Sequence, residues 1–314
     1  MTPVVVTADV PSTGSVVGTG AVRLPAGTPP NGAAKEQFVE VLRDQVESGT
    51  GMVICVYPSW RAQPGERTVR LARAALAPAR VVSVPSNLPP LALSLAVDLL
   101  AHLGRYVPPG ILVAMASRLQ QMLLAGAWVR SAARLQHVPA TLADHLRSYV
   151  PGASFVATAA PVTKLVTTRA FQPNHHPRPH EPVYLLVSSG GGDDDWVQSR
   201  LAPVLRPSLV KVLPPQPLGE AYWGNKRYVE FLAFSGHADV LTHAVRSIRY
   251  RPCSWCGELV SADPCPFCYM SARGTAFRPS QTLPKRQQPP AEAPLLTYTS
   301  SGSPPTTPRT GGHR

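Results

Sequence analysis

Met52-Val-Ile-Cys-Val-Tyr57, then Pro58 and Pro64-Gly65, then the run Glu66 to Ala77, then Val81-Val-Ser-Val84 is the stretch that decides the fold. The two Val/Ile-rich runs have strand length and are bounded by turn formers, and the segment between them has helix length. Strand, helix, strand in that order predicts a parallel pair with a crossover helix, hence an α/β class protein. Upstream, Phe38, Leu42 and Val46 recur at helical spacing, which predicts a helix over 35–46. Residues 11–34 are rich in Pro, Gly, Thr and Ser, so residues 1–34 read as a flexible arm with at most one edge strand at Val4–Val6. Downstream, helices are expected near Leu91–Leu103, Ile111–Leu135 and Thr141–Tyr149, with strands at Phe155–Thr158 and Lys164–Thr168. Residues 35–170 thus form an α/β domain with inserted helices.

Four prolines in Phe171-Gln-Pro-Asn-His-His-Pro-Arg-Pro-His-Glu-Pro182 rule out a continuing helix, so 171–182 is read as a linker and a domain boundary. Beyond it, Val183–Val187 and Leu209–Leu213 flank a helix over Asp193–Leu205, and the strand Tyr228–Phe234 precedes a helix over His237–Ile248. This βαββα order over 183–250 suits a second α+β domain of ferredoxin-like order, or an extension of the first sheet. From residue 271 to 314 prolines alternate with Ser, Thr, Gly and Gln, the composition of a disordered tail.

Four of the five cysteines lie in Cys253-Ser-Trp-Cys256-Gly-Glu-Leu-Val-Ser-Ala-Asp-Pro-Cys265-Pro-Phe-Cys268. Each Cys-x-x-Cys pair can fold into a knuckle that points two thiolates at one ion, and zinc takes four such ligands tetrahedrally. Gly257 suits the positive φ such a turn needs, and Trp255 and Phe267 lie inside the knuckles. These sixteen residues resemble a short zinc ribbon. The resemblance implies a closed, structural zinc at Cys253, Cys256, Cys265 and Cys268, in a ribbon spanning 251–270. Disulfides, a rubredoxin-like iron site and a thioredoxin-like redox pair are the competing uses of these cysteines. The rest of the chain resembles Arg-, Ala- and Pro-rich proteins of GC-rich actinobacteria and brings no activity with it.

Thirty Lys+Arg against 18 Asp+Glu give a net charge of +12, and only five of the basic residues are lysines. Arg246, Arg249, Arg251, Arg273 and Arg278 crowd the flanks of the cysteines, with Lys285 and Arg286 beyond. Such a patch can neutralise phosphates, and Trp255 or Phe267 can stack on bases. Other candidates have local explanations. Cys55 sits in an apolar strand, Asp193-Asp194-Asp195 stand where a helix cap is needed, and His175, His176 and His180 alternate with prolines. Phosphate-loop, dinucleotide, nucleophile-elbow and metalloprotease motifs are absent. No apolar run reaches the roughly 20 residues of a membrane span, and the N-terminus lacks the basic, apolar signature of an export signal.

The sequence therefore leads to a cytoplasmic, non-enzymatic α/β protein whose zinc ribbon binds nucleic acid or a partner protein. The alternatives are an enzyme or small-molecule-binding protein using a cleft in residues 35–170, with the ribbon as a structural clip, and a component of a multi-protein assembly tethered by its proline-rich ends.

Overall fold

A computed structural model describes residues 3–16, 20–24, 32–48, 52–76, 81–172 and 178–271. Strands β1 (Val4–Ala8), β2 (Val22–Leu24), β3 (Val53–Pro58) and β4 (Val81–Ser86) form a parallel sheet in the order β2-β1-β3-β4. Helices α1 (Gly32–Glu47) and α2 (Ala62–Ala75) are its crossovers. The pair read from Met52–Tyr57 and Val81–Val84 is present in the register Val53↔Val81 to Pro58↔Ser86. β4 is an edge strand, where Pro85 removes no ladder bond on a second side.

The arm expected over residues 1–34 is, where described, built into this sheet. β1 lies between β2 and β3 with Val5, Val6 and Thr7 buried, as a Val-rich strand inside a parallel sheet should be. Residues 12 and 13 are held by a carboxylate the local sequence does not show. Asp98, wholly buried, accepts from Ser12 Oγ (2.9 Å), Thr13 N (2.8 Å), Thr13 Oγ1 (2.7 Å) and Arg23 (2.6 Å). Lys211 Nζ donates to the carbonyls of Thr13 (2.9 Å) and Gly14 (2.8 Å) from the other side.

Helix α3 (Pro90–Leu103) is predominantly apolar, and every residue except His102 is buried, Ser94 and Asp98 included. A helix with so few polar residues, and with Ser94 and Asp98 bonded inside the fold, belongs in a core. It lies between the parallel sheet and a second sheet, touching one cluster that runs from Val5, Ile54 and Val84 to Leu186, Leu232 and Phe234. Helix α4 (Pro109–Met122) packs beside it.

The second sheet comprises β5 (Leu124–Val129), β6 (Phe155–Ala160), β7 (Lys164–Thr167), β8 (Val183–Ser189), β9 (Leu209–Leu213) and β10 (Tyr228–Ser235) in the order β7-β6-β5-β10-β8-β9. All its pairings are antiparallel except β8 with β9. Two expectations change here. The boundary at 171–182 divides neither sheet from the other, because β5 to β7 precede it and β8 to β10 follow it within one sheet. The helix expected over Ile111–Leu135 ends at Met122, and Leu-Ala-Gly-Ala-Trp-Val129 is a central strand. Its small residues are required by crowding: a Cβ on Gly126 would lie 2.6 Å from Ala157 O and 2.7 Å from the Phe231 ring.

Short elements complete the fold. Helix α5 (Leu142–Arg147) starts from a capping box between Thr141 and Asp144. Helix α6 (Asp194–Trp196), a π-helical turn (Val197–Leu201) and α7 (Ala202–Leu205) run in succession, followed by α8 (Gly219–Trp223) and α9 (Ala238–Ser247). The hairpin β11 (Arg251–Pro252) with β12 (Leu259–Val260) carries the cysteine segment. Among the described residues no helix is long and apolar enough to cross a membrane.

Candidate functional site: an apolar recess and a four-cysteine centre

The two ends of α3 differ in what they offer a ligand. At its N-terminus the backbone N–H of Leu91 donates to Glu230 Oε1 (2.8 Å), a side chain from β10 that is wholly buried. A helix N-terminus attracts anions, and here the chain supplies its own carboxyl. Burial pushes Glu230 up to about 8 although the Leu91 amide and the Trp223 indole pull the other way, so the group is largely neutral at pH 7. Trp223 Nε1, close to this carboxyl, and Glu230 Oε2 make no well-aligned hydrogen bond. Trp60, which follows β3, packs against His137 and Tyr222 of the second half with ring centroids 5.3 and 5.0 Å apart. His137 and Tyr222 stack at 4.8 Å. Burial lowers the His137 pKa, which keeps that imidazole neutral.

Near the other end of α3 the wall opens. Leu99 of α3, Leu119, Met122 and Leu123 at the end of α4, Phe234 and Ser235 at the end of β10, and Val240 and Leu241 of α9 line a small recess of about 20 Å³. That is room for about one water molecule, so the recess is nearly closed and would have to widen to admit a ligand. Seven of the eight lining residues are apolar, so the recess selects for hydrocarbon rather than charge.

The cysteine segment folds into two knuckles of the same shape. Gly257 N donates to Cys253 O (3.0 Å) and Cys253 N to Glu258 O (2.8 Å); Tyr269 N donates to Cys265 O (2.8 Å) and Cys265 N to Met270 O (3.1 Å). Gly257 (φ +75°) and Tyr269 (φ +62°) take the left-handed turn each knuckle requires. All four Sγ atoms lie within 4.8 Å of one another, with Cys253 to Cys268 at 3.6 Å and Cys256 to Cys265 at 3.7 Å. A tetrahedron with metal–sulfur bonds of about 2.3 Å has edges of about 3.8 Å, so the four thiols can hold one metal ion. The amide N–H of Cys256, aided by that of Trp255, draws Cys253 down to about 7, while burial pushes Cys256 up to about 12.

The ribbon is docked rather than displayed. Phe267 is buried in the main core with Val260 and Cys265. Arg73 of α2 is also buried and donates to Phe267 O (2.7 Å) and Pro266 O (3.4 Å), with Tyr269 stacked over its guanidinium at 4.4 Å. Arg251 is mostly buried and pairs with Asp263 at 3.7 Å. Trp255, unlike Phe267, is exposed. Arg246 and Arg249 are exposed around the end of α9, and Arg273 and Arg278 fall outside the described residues. The structure thus brings the four cysteines together, buries Phe267 and most of Arg251, and leaves Arg246, Arg249 and Trp255 exposed. Arg73 and the lining of the recess were not among the sequence candidates; nothing in their local pattern marks them.

The remaining candidates have local roles. Asp193 Oδ1 accepts from Trp196 N (3.1 Å), which caps α6, and Asp194 accepts from Ser189 Oγ (3.2 Å). Burial raises the Cys55 thiol to about 12, so it is a poor nucleophile. His180 is exposed, and His175 and His176 lie outside the described residues.

No family model and no curated protein matches the chain by sequence. Solved structures do match by shape. A DegV family protein from Corynebacterium glutamicum superposes with a TM-score of 0.53 at 12% identity, covering 75% of this chain and 97% of that one. A DegV family protein from Thermus thermophilus, described by its fatty acid binding, gives 0.51 at 17% identity, covering 75% and 100%. A Thermotoga maritima protein, described as revealing a fatty acid binding function, gives 0.51 at 12% identity, covering 75% and 99%. These likenesses establish the fold that three quarters of the chain adopts. They overturn the reading in which a ribbon binding nucleic acid or a partner protein is the functional module: the bulk of the chain is a two-sheet α/β fold found in ligand-binding proteins, and the ribbon is packed into it.

Proposed function

We propose that this protein binds a fatty acid or a similar long-chain acyl ligand non-covalently, with its hydrocarbon in the recess between α3, α4, β10 and α9. The observation that carries the reading is the almost wholly apolar lining of that recess in a fold shared with fatty acid-binding proteins. Sequestering a flexible hydrocarbon from water is favourable by ~0.8 kcal/mol per buried CH₂, and in this reading the Leu, Met, Phe and Val side chains that line the recess part to admit the chain, with no catalytic group required. The test is extraction of the purified protein with organic solvent and mass spectrometry of what it carries, followed by titration with saturated fatty acids of increasing length. Affinity that rises with chain length and is lost in Leu241→Trp, which fills the recess, supports the reading. Absence of any acyl ligand together with no binding in titration would sink it.

In the same proposal the four-cysteine centre holds one structural zinc. A closed set of four thiolates suits zinc over a catalytic ion, which keeps an open position. Elemental analysis of protein purified under reducing conditions tests it, with one zinc per chain expected and iron or two disulfides the contrary results.

A further inference from the structure

Arg73 is 6% exposed, and no carboxylate lies within ion-pair distance of it among the described residues. Its fork goes to two carbonyls of the second knuckle, 193 and 194 residues away in the chain, and its flat face goes to Tyr269. A buried guanidinium needs compensating negative charge. Four thiolates on a divalent ion would sum to −2, and the carbonyls that Arg73 bonds belong to the knuckle that carries two of those thiolates. The second knuckle is therefore built against α2 of the first half of the chain.

The ribbon also grips α4. Gly110 in the first turn of α4 lies against β12, where a Cβ would be 1.5 Å from Leu259 O and 3.5 Å from the Phe267 ring. The chain enters the ribbon directly from the C-terminal end of α9, which packs on α4. Each of these helices consequently has one end at the ribbon and the other at the recess: α4 through Leu119 and Met122, α9 through Val240 and Leu241.

We infer that the four-cysteine centre is a metal-dependent clasp that holds α4 and α9 in the arrangement forming the recess, with Arg73 as the positioning residue through which the metal-bound knuckle is fastened to α2. This regulation of the recess rests on the acyl-ligand reading above. Metal and ligand binding are then coupled, and by linkage each strengthens the other. Without the metal the knuckles lose their shape, the carbonyls of Pro266 and Phe267 leave Arg73, and the end of α4 at Gly110 loses its cover.

The experiment uses the full chain in three states: zinc-loaded, zinc-stripped with a chelator under reducing conditions, and reloaded with one equivalent of zinc. Palmitate affinity and amide hydrogen exchange across 109–122 and 238–247 are measured in each. Stripping is expected to weaken palmitate by about tenfold, within the usual ~5–150-fold range of couplings, and to speed exchange in both helices, with reloading restoring both. Arg73→Ala is expected to keep one zinc per chain yet show the same weakened binding and faster exchange, with Arg73→Lys intermediate because it keeps the charge but not the fork. Unchanged affinity and exchange after stripping, or an Arg73→Ala protein indistinguishable from wild type, would overturn the clasp while leaving acyl binding standing. If the zinc-loaded protein binds no palmitate, the acyl reading fails by itself, and the exchange of the two helices still decides the clasp: faster on stripping upholds it, unchanged overturns it.

Discussion

Gly110 and Leu259 approach so closely that the glycine's missing side chain is a structural requirement: a Cβ there would overlap the Leu259 carbonyl oxygen at 1.5 Å. The obstacle is backbone, which cannot swing aside as a side-chain tip can. Gly110→Ala is expected to push β12 off α4 and destabilise the protein by about 1–3 kcal/mol, the usual cost of overpacking. Urea denaturation measures the loss, and faster proteolysis within 251–271 locates it. A stability equal to wild type would mean that the ribbon is not seated on α4.

Asp98 binds together three parts of the chain that are distant in sequence, and its four acceptor contacts are made deep in the fold. Burial lowers the pKa of the Arg23 guanidinium, and Asp98 opposes that shift. Asp98→Ala leaves Arg23 and the Thr13 N–H uncompensated, and removal of one partner of a buried pair costs about 3–5 kcal/mol. The double variant Asp98→Ala with Arg23→Met is expected to recover part of that loss, because no charge is then stranded. Chemical denaturation of the single and double variants checks both statements.

Glu230 makes stability depend on pH in a direction opposite to that of a salt-bridged carboxylate. Its carboxyl titrates at about 8 in the folded protein against 4.5 ordinarily, so between those values the folded state holds a proton that the unfolded chain has released. The contribution is fully present below pH 4.5 and is lost as pH rises through about 8. Glu230→Gln keeps an acceptor for Leu91 N–H and removes the charge. It is expected to melt above wild type at pH 8.5, by an amount on the order of a few kcal/mol at most, and near wild type at pH 5. Thermal scans from pH 5 to 9 provide the measurement, and parallel slopes for the two proteins would refute the assignment.

Gly257 and Tyr269 occupy equivalent left-handed positions, but only the first is a glycine. Gly257→Val is expected to lower zinc affinity, since a β-branched residue there costs at least about 1–2 kcal/mol in the left-handed region. Tyr269→Gly relieves its own backbone but removes the ring stacked on Arg73. That variant is expected to retain zinc while losing up to ~2 kcal/mol of docking. Competition with a chromogenic chelator separates these two outcomes.

What the sequence determined by itself was local. Short Val/Ile runs between turn residues specified the parallel pair β3 and β4, a fourteen-residue segment in which only Ser94, Asp98 and His102 are polar specified a buried α3, and the Cys-x-x-Cys spacing specified two knuckles around one point. Each of those signals is complete within a few turns of chain, because strand pleat, helix period and knuckle geometry are set by neighbours in sequence. The tertiary structure alone decided the rest. Leu-Ala-Gly-Ala-Trp-Val129 has helix-compatible composition, and it is a strand only because β6 and β10 close on it from both sides. Val4–Ala8 has the look of an arm until β2 and β3 flank it. The recess is made of ordinary core residues from four separate elements that meet only after folding. Arg73 is one more basic residue on a helix until Phe267, 194 residues later, turns its carbonyl toward it. A residue's partner across such a distance is chosen by packing and by the need to compensate a buried charge, and neither is written in the residues beside it.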